Sequence, residues 1–267
     1  MVDSVVVYRR LVAAQVRSQL QYRFSFALDL LGAFLISFLD FLAVLVIFHN
    51  IPRLGGWNVH EVAFLYATSC ISFALTDLTI GHLDEFPQSI RNGSFDVLLL
   101  RPRGTLFQVV ASDFALRRLG KLVQALGVLV YALSGLDIAW DPGRIGMLAL
   151  MIPSGAVVFG AVWVTGICLV FWTTEGGEFT NAFTYGGNFL TQYPINIYSD
   201  WMRRLLAYVI PMAFVSYFPA LYVLGKPDPL GLPSFLRFAS PLVAMLAAIV
   251  AGCVWRIAVR HYRSTGS

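Results

Sequence analysis

Six stretches of the chain, roughly 24–48, 62–83, 106–136, 145–172, 205–224 and 238–259, are long and apolar enough to cross a bilayer as helices, since about 20 apolar residues span the hydrocarbon core. The third and fourth exceed one crossing, which predicts an interfacial turn or a tilt in each. Composition admits no soluble alternative. Of the 267 residues 58% are hydrophobic and 13% charged, whereas a soluble domain carries about a quarter charged residues. The expected fold is all-α and membrane-integral, a single transmembrane domain over 1–267. Nineteen basic against 15 acidic residues give a net charge of +4, too sparse and scattered for a nucleic-acid surface. Cys70, Cys168 and Cys253 lie in apolar runs without CxxC or Cys/His spacing, so neither a disulfide framework nor a zinc site is indicated.

Basic residues of membrane proteins stay on the cytoplasmic side. With the N-terminus inside, 15 of the 19 basic residues fall in inner segments, among them Arg203 and Arg204; Arg53, Arg144, Lys226 and Arg237 fall outside. The expectation is six spans with both termini cytoplasmic. Residues 1–23 lack the apolar core of a signal peptide. Arg10, Arg17 and Gln21 follow helical spacing on one side and Val5, Val12 and Val16 on another, as in an amphipathic interfacial helix. Segment 179–198 is broken by Gly186, Gly187 and Pro194 and reads as a short interfacial helix leading irregularly into the fifth span. Pro211 and Pro219 predict a kink in that span, and Pro227, Pro229 and Pro233 stiffen an extracytoplasmic loop, 225–237. In the sixth stretch Ala244, Ala248 and Gly252 recur every fourth residue, a pattern that lets helices approach closely in lipid.

Catalytic signatures are missing. Gly120-Lys121 and Gly225-Lys226 lack the hydroxyl residue that a phosphate-cradling GxxxxGK[ST] loop requires, so this chain binds no nucleotide by that route. His49, His60, His82 and His261 are scattered, and neither HExxH nor GxSxG occurs. Glu175 and Glu178 are the nearest approach to paired carboxylates, but Gly176-Gly177 between them marks a helix end, which favours a structural or partner-contact role. Acids at membrane depth are costly and have a reason. Asp29 and Asp40 are three turns apart on one face of the first span, with Ser37 close by, and Asp77 lies near Thr76 and Thr79 in the second. Asp29 suits the headgroup level. Asp40 and Asp77 either line a hydrated translocation path or pair with a neighbouring helix.

The segment after the second span is the most informative. It carries Asp84 and Glu85, then Phe86-Pro87, Ile90-Arg91-Asn92-Gly93, Phe95-Asp96, three leucines and Arg101-Pro102. Pro87 sits where a helix starts, Asn92-Gly93 where it stops, and a second short apolar turn closes at Pro102. A compact element carrying both charge and apolar residues is shaped to dock on another protein.

This segment resembles the signature of the bacterial ABC-2 type permeases, in particular a subfamily of six-span permeases. The pattern Ile210-Pro211 through Pro219-Ala220 and Leu224-Gly225 is similar to that family's fifth span. The resemblance implies the transmembrane subunit of an ATP-binding cassette exporter in the bacterial cytoplasmic membrane. It implies a pair of permeases, identical or homologous, above two copies of a separate ATPase, which alone binds ATP and Mg; no cofactor is expected on this chain, and no enzyme activity. It also implies that 84–104 forms a cytoplasmic coupling helix, with Glu85, Phe86, Pro87, Ile90, Arg91, Gly93, Phe95, Asp96, Arg101 and Pro102 forming or shaping the contact with the ATPase. Asp40 and Asp77 are the candidate path residues. The alternatives are a membrane-embedded enzyme acting on a lipid or lipid-linked substrate through Glu175 and Glu178, and a membrane anchor that transports nothing.

Overall fold

The computed structural model describes residues 4–173, 177–231 and 233–262. Helices α1 (Ser4–Gln21) and α2 (Arg23–Asn50) are separated by a break at Tyr22, and α3 (Val59–Ile80) follows a tight turn. A 3₁₀ turn at 81–85 leads into α4 (Phe86–Arg91), α5 (Ser94–Leu99) and α6 (Thr105–Val110). Next come α7 (Leu119–Ser134), α8 (Pro142–Ile167), the single turn α9 (Val170–Thr173) and α10 (Gly177–Thr191). The chain ends with the short α11 (Asp200–Arg204) and α12 (Tyr217–Val223), then α13 (Ser240–His261). Among the described residues, four helical segments are long and apolar enough to cross a membrane, 23–50, 59–91, 142–173 and 240–261, or five if the bent pair at 200–223 counts as one.

Helix α3 is the hub, buried along nearly its whole length between α7, α8, α2 and α10. Asn58 and Glu61 start it with a reciprocal capping box, which satisfies two otherwise orphaned N–H groups. Its hydroxyls are spent locally: those of Ser72 and Thr76 lie 3.0 and 2.8 Å from the Ile152 and Ala156 carbonyls of α8. At the start of α7, a Cβ on Gly120 would collide with the Leu30 carbonyl of α2. The α2 backbone comes close to α7 there, and only glycine fits.

Side-chain contacts sort the bundle into two ends. The lower end gathers both terminal helices around 86–118. Gln19 Nε2 donates to the Phe114 carbonyl at 2.6 Å, and Trp255 Nε1 to Thr105 Oγ1 at 3.0 Å. The upper end gathers 51–61, 194–204 and 222–240. There Asn196 Nδ2 donates to the Gly55 carbonyl at 2.8 Å, and the Lys226 ammonium lies 2.8 Å from Glu61 and 4.8 Å from the Trp57 ring centre.

This sorting confirms one expectation and corrects two. Segment 106–136 contains the turn that its excess length predicts, at 111–118, before α7 begins. Segment 179–198 is no interfacial piece: α10 starts beside Pro87 at the lower end, and Asn196 reaches Gly55 at the upper end. Gly186 and Gly187 do not interrupt α10; a Cβ on Gly187 would run into Met212, so that glycine serves packing. The expected fifth span, 205–224, is not one straight helix but two helical pieces that meet at a bend of 76°. It enters at the upper end, where Arg203 and Arg204 share a cavity with Leu230, and returns there, with Tyr222 beside Gly143. The bend falls at Pro211, which has no N–H to give, after an extended Ile210. Pro219 lies in the first turn of α12 and breaks nothing. Arg203 and Arg204 therefore sit at the upper end, and among the described residues the tally of basic residues becomes 12 to six.

The small-residue stripe of α13 is also displaced. Ala244, Ala251 and Ala258 are buried, whereas Ala248 is exposed and Gly252 meets no neighbour within 4 Å.

Gly120→Leu is expected to force α2 off α7 and cost about 1–3 kcal/mol or more. Gly127→Leu, on the same helix with open space around it, should leave stability unchanged. Thermal unfolding of the two purified variants checks the contrast.

Candidate functional site

Near the lower end of α3 the Asp77 carboxylate is 1% exposed and accepts from two cations, the Arg118 guanidinium just before α7 and Lys121 Nζ, at 3.1 Å, in its first turn. Arg118 Nη1 also donates to the Asp77 carbonyl at 2.7 Å. An added Cβ at Gly81, just past α3, would fall on that guanidinium, so a larger residue there would displace the ion pair. One turn on, Asp84 accepts from Trp163 Nε1 of α8 at 3.0 Å and from the Tyr185 hydroxyl of α10 at 2.9 Å. The Lys121 ammonium lies 5.8 Å from the ring centres of both Phe73 and Tyr185. Two carboxylates and two cations thus lock four helices together at one depth. Charges buried away from water persist only when so paired.

The 84–104 segment hangs directly below. Pro87 stands in the first turn of α4, and Gly93 takes φ 68° to reverse the chain into α5, the helix–stop–helix that the sequence predicts. Orientation divides the residues named for coupling. Phe86, Pro87, Ile90 and Phe95 are buried. Phe86 and Phe95 pack edge-on to each other and against Phe171 and Trp255, with ring centres 5.4–6.5 Å apart. Glu85, Arg91, Arg101 and Pro102 are exposed, and Gly93 and Asp96 are half-buried. Partial burial and the neighbouring Asp96 carboxylate push the Tyr262 hydroxyl up to about 12. Of the leucines that the sequence places in this segment, Leu99 and Leu100 are exposed together with Val97, with Leu100 86% exposed.

The remaining acids are dispersed. Asp40 is exposed at mid-length on α2 and makes no ion pair among the described residues. Asp29 borders a lower-end hollow with Gln19, Tyr22 and Asp113, as a headgroup-level residue would. Glu178 is exposed in the first turn of α10, and Glu175 lies outside the described residues. Sequence reading missed Arg118, Trp163 and Tyr185 altogether. What sequence did show of the cluster was Asp77 itself, an acid at membrane depth that needs a partner.

Long apolar helices crosslinked by buried ion pairs define a multi-pass membrane protein. The family model described as ABC-2 family transporter protein matches residues 34–266, and the chain belongs to that family. No curated protein and no solved structure matches it. The protein is a membrane component of an ABC transporter, a kind of subunit that usually lacks catalytic activity and that implies an ATPase partner.

Asp77→Leu leaves Arg118 buried without its counter-charge. The expected loss is about 3–5 kcal/mol, roughly 6–12 °C in melting temperature. Adding Arg118→Leu should recover part of it. An unchanged melting temperature for Asp77→Leu alone would contradict the pairing.

Proposed function

We propose that this chain is the path-forming permease subunit of an ABC exporter in the bacterial cytoplasmic membrane, driven through segment 84–104 by a separate ATPase. In this reading α2, α3, α7, α8, α10 and α13 are the six crossings, and 200–223 is a re-entrant hairpin on the outer side. Helix α10, with 15 residues, measures about 22 Å and crosses with help from its flanking turns. Both termini lie on the cytoplasmic side, supported by the 12 basic residues at the lower end among the described residues. Two ATPase copies serve two permeases, identical or homologous, and ATP with Mg stays on the ATPase. Asp40 faces the path between the permeases, while Asp77 serves the interior pairing.

The observation that carries the proposal is the two-sidedness of α4 and α5. Their inner side is clamped by Phe86 and Phe95 to Phe171 and Trp255, and their outer side offers Glu85, Arg91, Leu99, Leu100 and Arg101. An element free on one face and locked on the other transmits a push instead of absorbing it. Closure of the ATPase pair on ATP would move α4, then α3 through the 81–85 turn, then α7, α8 and α10 through Asp77 and Asp84. Nothing observed favours the enzyme alternative, whose acids are Glu178, exposed at a helix start, and Glu175.

Arg91→Glu combined with Leu100→Glu is expected to reduce ATPase co-purification about thirtyfold or more, as loss of a central charged contact does, with the membrane-inserted level unchanged. Phe86→Ala with Ile90→Ala should instead lower the permease's own melting temperature. Wild-type coupling in the first variant overturns the docking assignment.

Single cysteines test the topology in intact cells. Positions 200 and 229 should label from outside and position 92 only after permeabilisation. Labelling of 200 from the inside would restore 205–224 as a crossing.

A further inference from the structure

Three hollows on the flank of the bundle run into one another. The descending half of the hairpin winds through a wide turn, in which the Ile210 N–H bonds the Leu205 carbonyl five residues back. Its outward face exposes Trp201, Tyr208 and Val209, with Arg204 between them, along a shallow groove. Tyr208 and Val209 also border a cavity of about 720 Å³, open at the side, between α8, α10, the hairpin tip and α13. Its walls are apolar side chains such as Ala161, Leu169, Val243 and Val250. Above it, through Ala207 and Tyr208, lies a smaller hollow of about 280 Å³ that holds Asp200, Arg203 and Arg204.

The chemistry changes sharply along this track. Asp200 pairs with the Nη2 of Arg203 and offsets one positive charge, which leaves Arg204 as the net charge of the mouth. The Arg203 Nε is buried and has no hydrogen-bond partner. A guanidinium N–H withdrawn from water without an acceptor is costly, and the missing acceptor fits an anion seated beside Arg204. Trp201 just above the arginines and Tyr208 just below them are amphipathic rings of the kind that sit at a membrane interface. Below Tyr208 the slot is greasy and faces the membrane interior. An anion above and an aliphatic chain below is the shape of one kind of molecule.

We propose that this track binds an anionic phospholipid from the upper-end leaflet. Its phosphate sits against Arg204 and the Arg203 Nε, and one acyl chain lies in the slot between α8 and α13. The bound lipid completes the wall of the hairpin. It fills the space that the bend at Pro211 leaves beside α8, and it ties the hairpin to α13, which the hairpin otherwise meets through Ser240, whose hydroxyl donates to the Phe214 carbonyl at 2.7 Å.

The test uses the full chain, with any ATPase that co-purifies, in nanodiscs containing phosphatidylglycerol or phosphatidylcholine with a photoactivatable group in one acyl chain. Peptides 161–169 and 243–250 should be labelled by phosphatidylglycerol about fivefold more than by phosphatidylcholine, the preference one basic residue near the surface supplies. Arg204→Gln, a change at an exposed side chain, should bring the two lipids to parity. Ala247→Trp should fill the slot and abolish labelling of those peptides by both. Equal labelling by the two lipids in the unmodified protein overturns the proposal, as does labelling spread evenly over the exposed face of α2. Efficient disulfide crosslinking between copies carrying Val250→Cys also overturns it, since a second copy would then cover the slot.

Discussion

A carboxylate buried in a membrane protein must be answered by positive charge, and Asp77 is answered twice, by Arg118 and by Lys121. Much of the architecture follows from that requirement. To bring Arg118 to Asp77 the chain must turn at 111–118, so α7 begins late and stays short. Position 81 is glycine, and a larger residue there would displace the ion pair. With α7 drawn onto α3, α2 is drawn onto α7, and Gly120 clears the approach. Asp84 extends the same logic about two turns lower by taking the Trp163 and Tyr185 donors. The lower half of the bundle is therefore held by polar contacts of defined geometry, which resist shear in a way that apolar packing in lipid does not.

That rigidity gives the 84–104 segment its mechanical sense. Its aromatic side is built into the bundle with Phe171, Trp255 and Tyr262, so α4 and α5 move only together with α3 and α13. The upper half is looser in design. Its helix contacts include a broken hairpin whose bend is set by Pro211, and the Lys226–Glu61 pair over Trp57 secures the loop after α12. Under the proposed function, a molecule stiff at its lower end and interrupted at its upper end converts a push at one end into rearrangement at the other.

Legibility from sequence followed the range of the interactions. Helices α2, α3, α8 and α13 were readable from hydropathy within a few residues of their ends, and the Gly93 reversal from local turn chemistry. The motif around Asp84 to Pro102 carried the family. The burial of Phe86, Ile90 and Phe95 was not readable, because an aromatic residue on a short helix serves equally as a docking anchor or as core until its neighbours are known. Asp40 and Asp77 looked alike in sequence. One is exposed and the other is enclosed, and the difference lies in residues 41 and 44 positions further on.

Sequence by itself determined that this chain is a helical membrane protein of the ABC-2 transporter family, because apolar content and local motifs act residue by residue. Tertiary structure alone decided which apolar stretch runs through the bundle and which turns back. Hydropathy is the same for a crossing and for a re-entrant hairpin. Helix α10 is less apolar than the hairpin, yet it runs from Pro87 to Gly55, because Thr184 and Thr191 bond their own helix and Ser69 meets Thr191 at 2.6 Å. Once those hydroxyls are satisfied by the backbone and by α3, the cost that hydropathy assigns to them disappears, and only the packed structure reveals that it has.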